Sequence, residues 1–170
     1  DGTNLFGLGF TFGGDGGESA VDPTNTQFVY GSIQNLGLFR STNGGTSAAY
    51  ICQGITEASC PPSGGTGKTN FIPPFTLDPN HSDRMLVGAQ SVWRSNNVRT
   101  SSPSLPTWAT IRAPQPSRFC LANPGNSFCL TPNDPNTYIN FIAVAPGNPD
   151  IVWVGYNDGQ LATTTNGTAT

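Results

Sequence analysis

Charge is what this sequence has least of. Seven Lys plus Arg and ten Asp plus Glu make up 10% of its 170 residues, against a usual quarter, and leave a net charge of −3. The basic residues stand singly, so no stripe follows a phosphate backbone, which argues against nucleic acid as a partner. Long apolar runs are missing as well, and none approaches the roughly 20 residues of a membrane-spanning helix. The opening Asp1-Gly2-Thr3-Asn4 lacks the charged-then-apolar pattern of a signal peptide, so the chain reads as mature or as cut from something longer. Helical periodicity is absent throughout. No Cys-x-x-Cys-His is present for a c-type haem, and no cofactor is expected.

What is present is punctuation. There are 21 Gly and 15 Pro, with many Asn, Thr and Ser between short apolar runs, which describes a chain rich in strands and turns. Ten Phe, four Tyr and three Trp sit inside those runs, and so many aromatics at low net charge favour a packed core over disorder. The four cysteines form two close pairs, Cys52 with Cys60 and Cys120 with Cys129, each in a Pro/Gly/Ser-rich stretch between strand-like segments. This spacing suits two local disulfides. Zinc is the rival reading, but structural zinc sites use tighter Cys pairs, and the single histidine, His81, lies away from both. Disulfides place the chain in an oxidising, extracellular compartment.

One unit occurs three times. Asp22-Pro23-Thr24-Asn25, Asp78-Pro79-Asn80 and Ala145-Pro146-Gly147-Asn148 each open a turn. A short apolar strand closing on Gly follows: Phe28-Val29-Tyr30-Gly31, Met85-Leu86-Val87-Gly88 and Val152-Trp153-Val154-Gly155. A third strand then runs into a polar turn: Leu38 to Asn43, Val92 to Asn97, Leu161 to Asn166. Proline cannot donate to a ladder and belongs at strand ends, so its recurrence marks antiparallel neighbours. Fourth strands are expected at 48–51 and 107–111. Such four-stranded units, repeated with one grammar, are the sequence form of propeller blades. The expected fold is all-β: about three blades of an incomplete ring, spanning roughly 17–53, 70–112 and 138–170 of one domain covering 1–170.

The polar turns resemble the Asp-box of BNR-repeat propellers, Ser-x-Asp-x-Gly-x-Thr-Trp. Ser41, Asn43 and Gly45 match it with Asn for Asp; Ser95 and Asn97 keep the front half, with Arg99 where Gly belongs; Thr164 and Asn166 keep the spacing. Such a box fixes a turn, because Asn bonds its own downstream backbone and Gly supplies positive φ. The resemblance implies that the boxes are structural and lie opposite the functional face. It covers sialidase-like, xyloglucanase-like and sortilin-like propellers, so the fold alone does not name a function.

Glycoside hydrolysis usually needs two carboxylates about 5–10 Å apart. Asp22 and Asp78 are explained by the repeated turn, Asp83 and Asp150 by the next turn position. No Phe/Tyr-Arg-Ile-Pro motif of sialidases occurs, and Arg40 and Arg94, at equivalent blade positions, read as repeated structural residues. Gly13-Gly14-Asp15-Gly16-Gly17-Glu18 reads as a tight crossing into the first blade; the calcium loop Asp-x-Asp-x-Asp-Gly is absent, and no metal site is expected. Asn80 and Asn166 open glycosylation sequons. Blade geometry puts Asp15, Asp134 and Asp158 in loops of one face, as candidates for binding a ligand. The expected function is a non-catalytic extracellular surface for glycans, proteins, copies of itself or the rest of its own propeller. The alternatives are a glycoside hydrolase with carboxylates partly outside this chain, and a receptor-type ectodomain.

Overall fold

The computed structural model describes residues 14–61, 64–100, 105–127, 129 and 137–169. They form three antiparallel sheets that do not close into a ring. The first contains β1 (Gly16–Val21), β2 (Val29–Ile33), β3 (Gly37–Ser41) and β4 (Ala49–Tyr50); the second β5 (Phe75–Asp78), β6 (His81–Gly88), β7 (Val92–Ser95) and β8 (Ala109–Arg112). The third has β9 (Ile139–Ala145), β10 (Asn148–Tyr156) and β11 (Leu161–Thr164), in the order β11-β10-β9. The fourth strands are shorter than the sequence suggests, and none pairs with β11 among the described residues. One short helix, α1 (Arg118–Ala122), lies between the second and third sheets. The first strands converge, with the Glu18 carboxylate of β1 accepting the Phe75 N–H of β5 at 3.2 Å.

Two cores hold the three blades face to face. Tyr30, Leu36 and Leu38 of blade one pack with Phe75, Met85 and Val87 of blade two, and Leu86 and Val92 of blade two pack with Ile142, Val144, Val152 and Val154 of blade three. Blade two therefore buries both faces, alternating along β6 as a pleated strand must. Each fully buried Leu or Val contributes about 1.5–3 kcal/mol relative to exposure. Gly88 is small for this reason: a Cβ there would stand 2.7 Å from Ile139.

The pairing corrects the alignment of blade one. Arg40 and Arg94 are equivalent, and they pair with Tyr30 and Leu86. Val29-Tyr30-Gly31-Ser32 thus matches Met85-Leu86-Val87-Gly88, one residue on from the match that Gly31 and Gly88 suggest. A slip of one residue moves every side chain to the other face, so the correction decides which residues meet the next blade.

Each polar turn is tied to the start of the second strand of its blade. Gly44, Val98 and Gly167 donate their N–H groups to the carbonyls of Gln27, Asp83 and Asp150, at 3.0, 3.0 and 2.9 Å. Inside the first turn Ser41 Oγ accepts from the N–H of Gly45 at 2.9 Å, and Asn43 Oδ1 accepts the N–H of Ser47 at 2.9 Å. Gly45 has φ 95°, a conformation costly for any residue with a Cβ. The second turn is more complete than its front half suggests. Asn97 Oδ1 accepts the N–H of Thr107 at 2.9 Å, so Thr107-Trp108 supplies the Thr-Trp end after an intervening excursion. Trp108 then packs on the first core and donates Nε1–H to the Ile51 carbonyl at 2.8 Å.

The repeated arginines join each blade to the next one's polar turn. Arg40 donates to the Val98 carbonyl at 2.5 Å; Arg94 donates to the carbonyls of Gly167 and, at 3.1 Å, Ala169. Both are buried, and burial lowers their pKa from the usual arginine value. In the reverse direction Arg99 bonds Asp22 through Nε at 2.6 Å and stacks over Phe28. Arg99 therefore replaces a turn glycine with a bond between blades.

Candidate functional site

Among the described residues, the face opposite the polar turns is built from hairpins joining second to third strands and from the described parts of the crossovers that follow β4 and β8. The Asn35 N–H donates to the Phe71 carbonyl, the Ser59 N–H to the Asn35 carbonyl, and the Gln90 N–H to the Lys68 carbonyl, at 3.0, 2.8 and 3.1 Å. In the first hairpin Asn35 and Leu36 both have positive φ, 57° and 64°, the geometry whose twist matches the flanking strands. A left-handed Leu costs on the order of 1–2 kcal/mol. Complete burial of Leu36 in the first core offsets that cost.

The first crossover is closed by Cys52–Cys60, with an S–S distance of 2.07 Å, and fixed to blade two by Glu57. The Glu57 carboxylate, 9% exposed, accepts the Ser91 N–H at 3.0 Å, the Ser91 hydroxyl at 2.9 Å and the Trp93 Nε1–H at 3.0 Å. The second crossover contains the Cys120–Cys129 disulfide, at 2.01 Å, and α1, whose N-cap Ser117 accepts from the Cys120 N–H at 3.4 Å. Both expected disulfides are therefore present. Asp158, in the β10–β11 hairpin, fastens this crossover. Its carboxylate accepts from Gln160 N–H at 3.1 Å, Gln160 Nε2 at 2.6 Å and Arg118 N–H at 3.1 Å. Burial pushes its pKa up, but the hydrogen bonds from Gln160 and Arg118 outweigh this, and the net direction is down.

Asp15 and Asp158 lie on this face, on blades one and three, while Asp134 lies outside the described residues. Asp15 is exposed; its N–H donates to Gln34 Oε1 at 2.8 Å, and its carboxylate accepts no bond from a described residue. Ser41, Asn43, Gly45, Ser95, Asn97, Thr164 and Asn166 are on the opposite face, occupied in their own turns. Among the described residues every other carboxylate has a partner. Asp22 bonds Arg99 and Thr24; Asp78 bonds Arg84 and Asn80; Asp83 takes the Arg99 N–H at 2.7 Å; Asp150 takes the Thr168 N–H at 3.0 Å. Asp83 and Asp150 thus serve the polar turns of their own blades. Among these residues no group of three or more His, Cys, Asp or Glu could hold a metal ion.

Glu57 is the residue that sequence reasoning missed. Its partners are 34 and 36 residues away, inside what reads as a plain loop between two cysteines, and no local pattern announces them. The same face exposes apolar side chains: Phe71 with Ile72 on the first crossover, and Phe119 with Leu121 on α1. Phe71 is 58% exposed and Phe119 50%. The chemistry offered is two phenyl rings, with Lys68 and Arg118 in the same segments, and one free carboxylate at Asp15.

No family model and no curated protein matches this sequence. Among solved structures, an ancestral GH74 enzyme superposes with a TM-score of 0.53 at 17% identity, over 89% of this chain and 17% of that enzyme. A GH74 enzyme of Niastella koreensis gives 0.48 at 16% identity, over 91% of this chain and 22% of that one. The chain spans about a sixth of the length of the first of these. At this identity the likeness shows a partial propeller fold and nothing of activity.

Proposed function

We propose that the chain is a non-catalytic part of an extracellular propeller, and that its crossover face binds glycans. The observation that carries this reading is the occupation of the carboxylates. Hydrolysis of a glycosidic bond usually needs an acid and a second carboxylate about 5–10 Å away. Asp15 alone is free among the described residues, so a pair would require a carboxylate from elsewhere. The ancestral GH74 enzyme shares the fold, but the hydrolase reading of this chain rests on that missing partner. Phe71 and Phe119 offer flat apolar surfaces to the C–H faces of sugar rings, and the surrounding amides and hydroxyls suit sugar hydroxyls. Two disulfides agree with an oxidising exterior.

Titration calorimetry against a panel of soluble plant and microbial polysaccharides tests the reading. Binding by at least one of them is expected, and Phe71→Ala and Phe119→Ala should each weaken it about tenfold, or about 1.4 kcal/mol. Absence of binding across the panel, or variants that bind like the wild type, would refute the glycan reading; a protein that binds through these rings instead would replace it.

A further inference from the structure

Of the seven basic residues, five are engaged inside the fold. Arg40 and Arg94 are buried and donate to carbonyls of the following blade, and Arg99 holds Asp22. Arg84 pairs with Asp78 at 3.0 Å, and Arg112 donates its Nε–H to the Tyr156 hydroxyl at 2.6 Å. The two left are Lys68 and Arg118. Both are exposed, and neither side chain has a partner among the described residues. Exposed cations are ordinary on a protein surface, but these two share a face and a manner of support.

Lys68 lies in the first crossover and Arg118 in the second, and each free side chain rises from backbone that is fixed. The Lys68 N–H donates to the Glu57 carbonyl at 2.9 Å, and the Lys68 carbonyl accepts the Gln90 N–H, from the β6–β7 hairpin, at 3.1 Å. Glu57, whose carboxylate is held by Ser91 and Trp93, thereby fixes Lys68 as well. The Arg118 N–H donates to the Asp158 carboxylate, in the β10–β11 hairpin, at 3.1 Å. Each cation comes with an exposed ring on the same stretch. Phe71 follows Lys68 by three residues, and its carbonyl accepts the Asn35 N–H at 3.0 Å; between them the Asn70 side chain donates to the Ile139 carbonyl at 2.9 Å. Phe119 directly follows Arg118, and its carbonyl accepts both the N–H and the side-chain amide of Asn123 at 2.9 Å. A cation with a ring therefore occurs twice, once on each crossover. Fixing these segments before binding removes part of the entropy cost of ordering them.

Charge is ordered along this face by the three hairpins. Blade one holds Asp15 through Gln34, blade two holds Lys68 through Gln90, and blade three holds Arg118 through Asp158. The last two hairpins are themselves joined by residues 138–139: the Ala89 carbonyl accepts the Ile139 N–H at 2.8 Å, and the Tyr138 carbonyl accepts the Asn157 N–H at 2.9 Å. The two cations thus stand on adjacent blades, and the free carboxylate stands on the third. Glu57 and Asp158 add negative charge beside them, but each already accepts three hydrogen bonds. Packed sheets lie about 10 Å apart, farther than one sugar ring reaches, so a ligand meeting both cations is a chain of sugars.

We propose that the glycan bound by the crossover face is an acidic polysaccharide, with uronate or sulfate groups on Lys68 and Arg118 and sugar faces on Phe71 and Phe119. This rests on the glycan reading given above and narrows it to a ligand class. The planar fork of Arg118 can take two oxygens of one anionic group, and Lys68 acts as a point charge with three donors. A neutral chain would leave both cations unpaired.

Titration calorimetry with matched pairs of polymers tests the proposal: oligogalacturonate against its carboxyl-reduced form, and dextran sulfate against dextran, with poly-glutamate as an anion that has no sugar. At least one acidic member should bind about tenfold tighter than its neutral counterpart, and which one does so identifies the anionic group. Raising NaCl from about 0.01 M to about 1 M shortens the screening length from about 30 Å to about 3 Å and should remove that advantage. Lys68→Gln and Arg118→Gln should each weaken binding of the acidic member about two- to fivefold, at an unchanged melting temperature, while Lys68→Arg and Arg118→Lys should retain it. Neutral members that bind as tightly as acidic ones would overturn the proposal and leave the glycan reading standing. Acidic binding that ignores both Gln substitutions, or poly-glutamate binding as tightly as the best acidic polysaccharide, would overturn it too. Absence of binding by every polysaccharide would remove the glycan reading itself, and this proposal with it.

Discussion

Glu57 offers a graded test of whether the carboxylates on the crossover face serve the fold. Its two oxygens accept three donors from blade two, and all partners are buried. In Glu57→Gln the remaining amide oxygen can keep the Ser91 and Trp93 N–H groups, and the Ser91 hydroxyl can rotate to accept from the new amide. The loss is then that of charge assistance, about 1–2 kcal/mol. In Glu57→Ala the Trp93 indole N–H and the Ser91 N–H lose their acceptor at a buried site, at about 1–3 kcal/mol each, and the side chain's packing is lost too. A total of about 3–5 kcal/mol is expected, a fall in melting temperature of roughly 10 °C for a chain this long. Urea unfolding of the three proteins, monitored by tryptophan fluorescence, gives the comparison. A Glu57→Ala protein within about 0.5 kcal/mol of wild type, the range of ordinary surface substitutions, would refute the reasoning.

Tyr30 is fully buried with its hydroxyl unpartnered among the described residues, and burial pushes its pKa well above the usual tyrosine value. Tyr30→Phe should therefore leave stability unchanged or raise it by up to about 1 kcal/mol in thermal melts; a clear drop would reveal a partner. Replacing Cys52 and Cys60 with Ala should cost at least about 2.5 kcal/mol, the loop-closure value for such a short ring, and more than the same change at Cys120 and Cys129, because Cys52 and Cys60 are both within 1% of complete burial. Equal losses would show that the first staple has no added packing role. The pKa of Asp22 is lowered: burial raises it, but the hydrogen bonds from Arg99 and Thr24 outweigh this. Asp158 shifts in the same direction. Their contribution is present above the unfolded value of about 3.9 and is lost as pH falls through the lower folded values, so the melting temperature should fall below about pH 4. A melting temperature at pH 3 equal to that at pH 6 would contradict this.

Much of the architecture was legible because turn chemistry is local. Pro23, Pro79 and Pro146 mark strand ends by the donor they lack, and each cysteine pair spans one excursion. Arg40 and Arg94 read as structural because they repeat, although nothing in the sequence says that they reach the following blade. Identity misled where it outweighed spacing. By identity Gly31 reads as the counterpart of Gly88, yet the strand partner of Gly31 is Phe39, whose ring lies over it, and Val87 holds its place in blade two. Thr107-Trp108 belonged to the second polar turn, but nine residues separate it from Asn97. Its Thr-Trp pair was the available signal. The fastening of Glu57 and Asp158 depends on partners brought together only by folding, so composition treats both as ordinary solvated carboxylates.

The central claim, that every described carboxylate except Asp15 serves the fold and that no hydrolytic pair is left among the described residues, is tested most directly by measuring reducing ends. The wild type and Asp15→Asn should be incubated with each polysaccharide that binds, with xyloglucan included in every case. No release above the buffer control is expected from either protein. Release by the wild type that Asp15→Asn abolishes would contradict the account and make Asp15 one half of a catalytic pair.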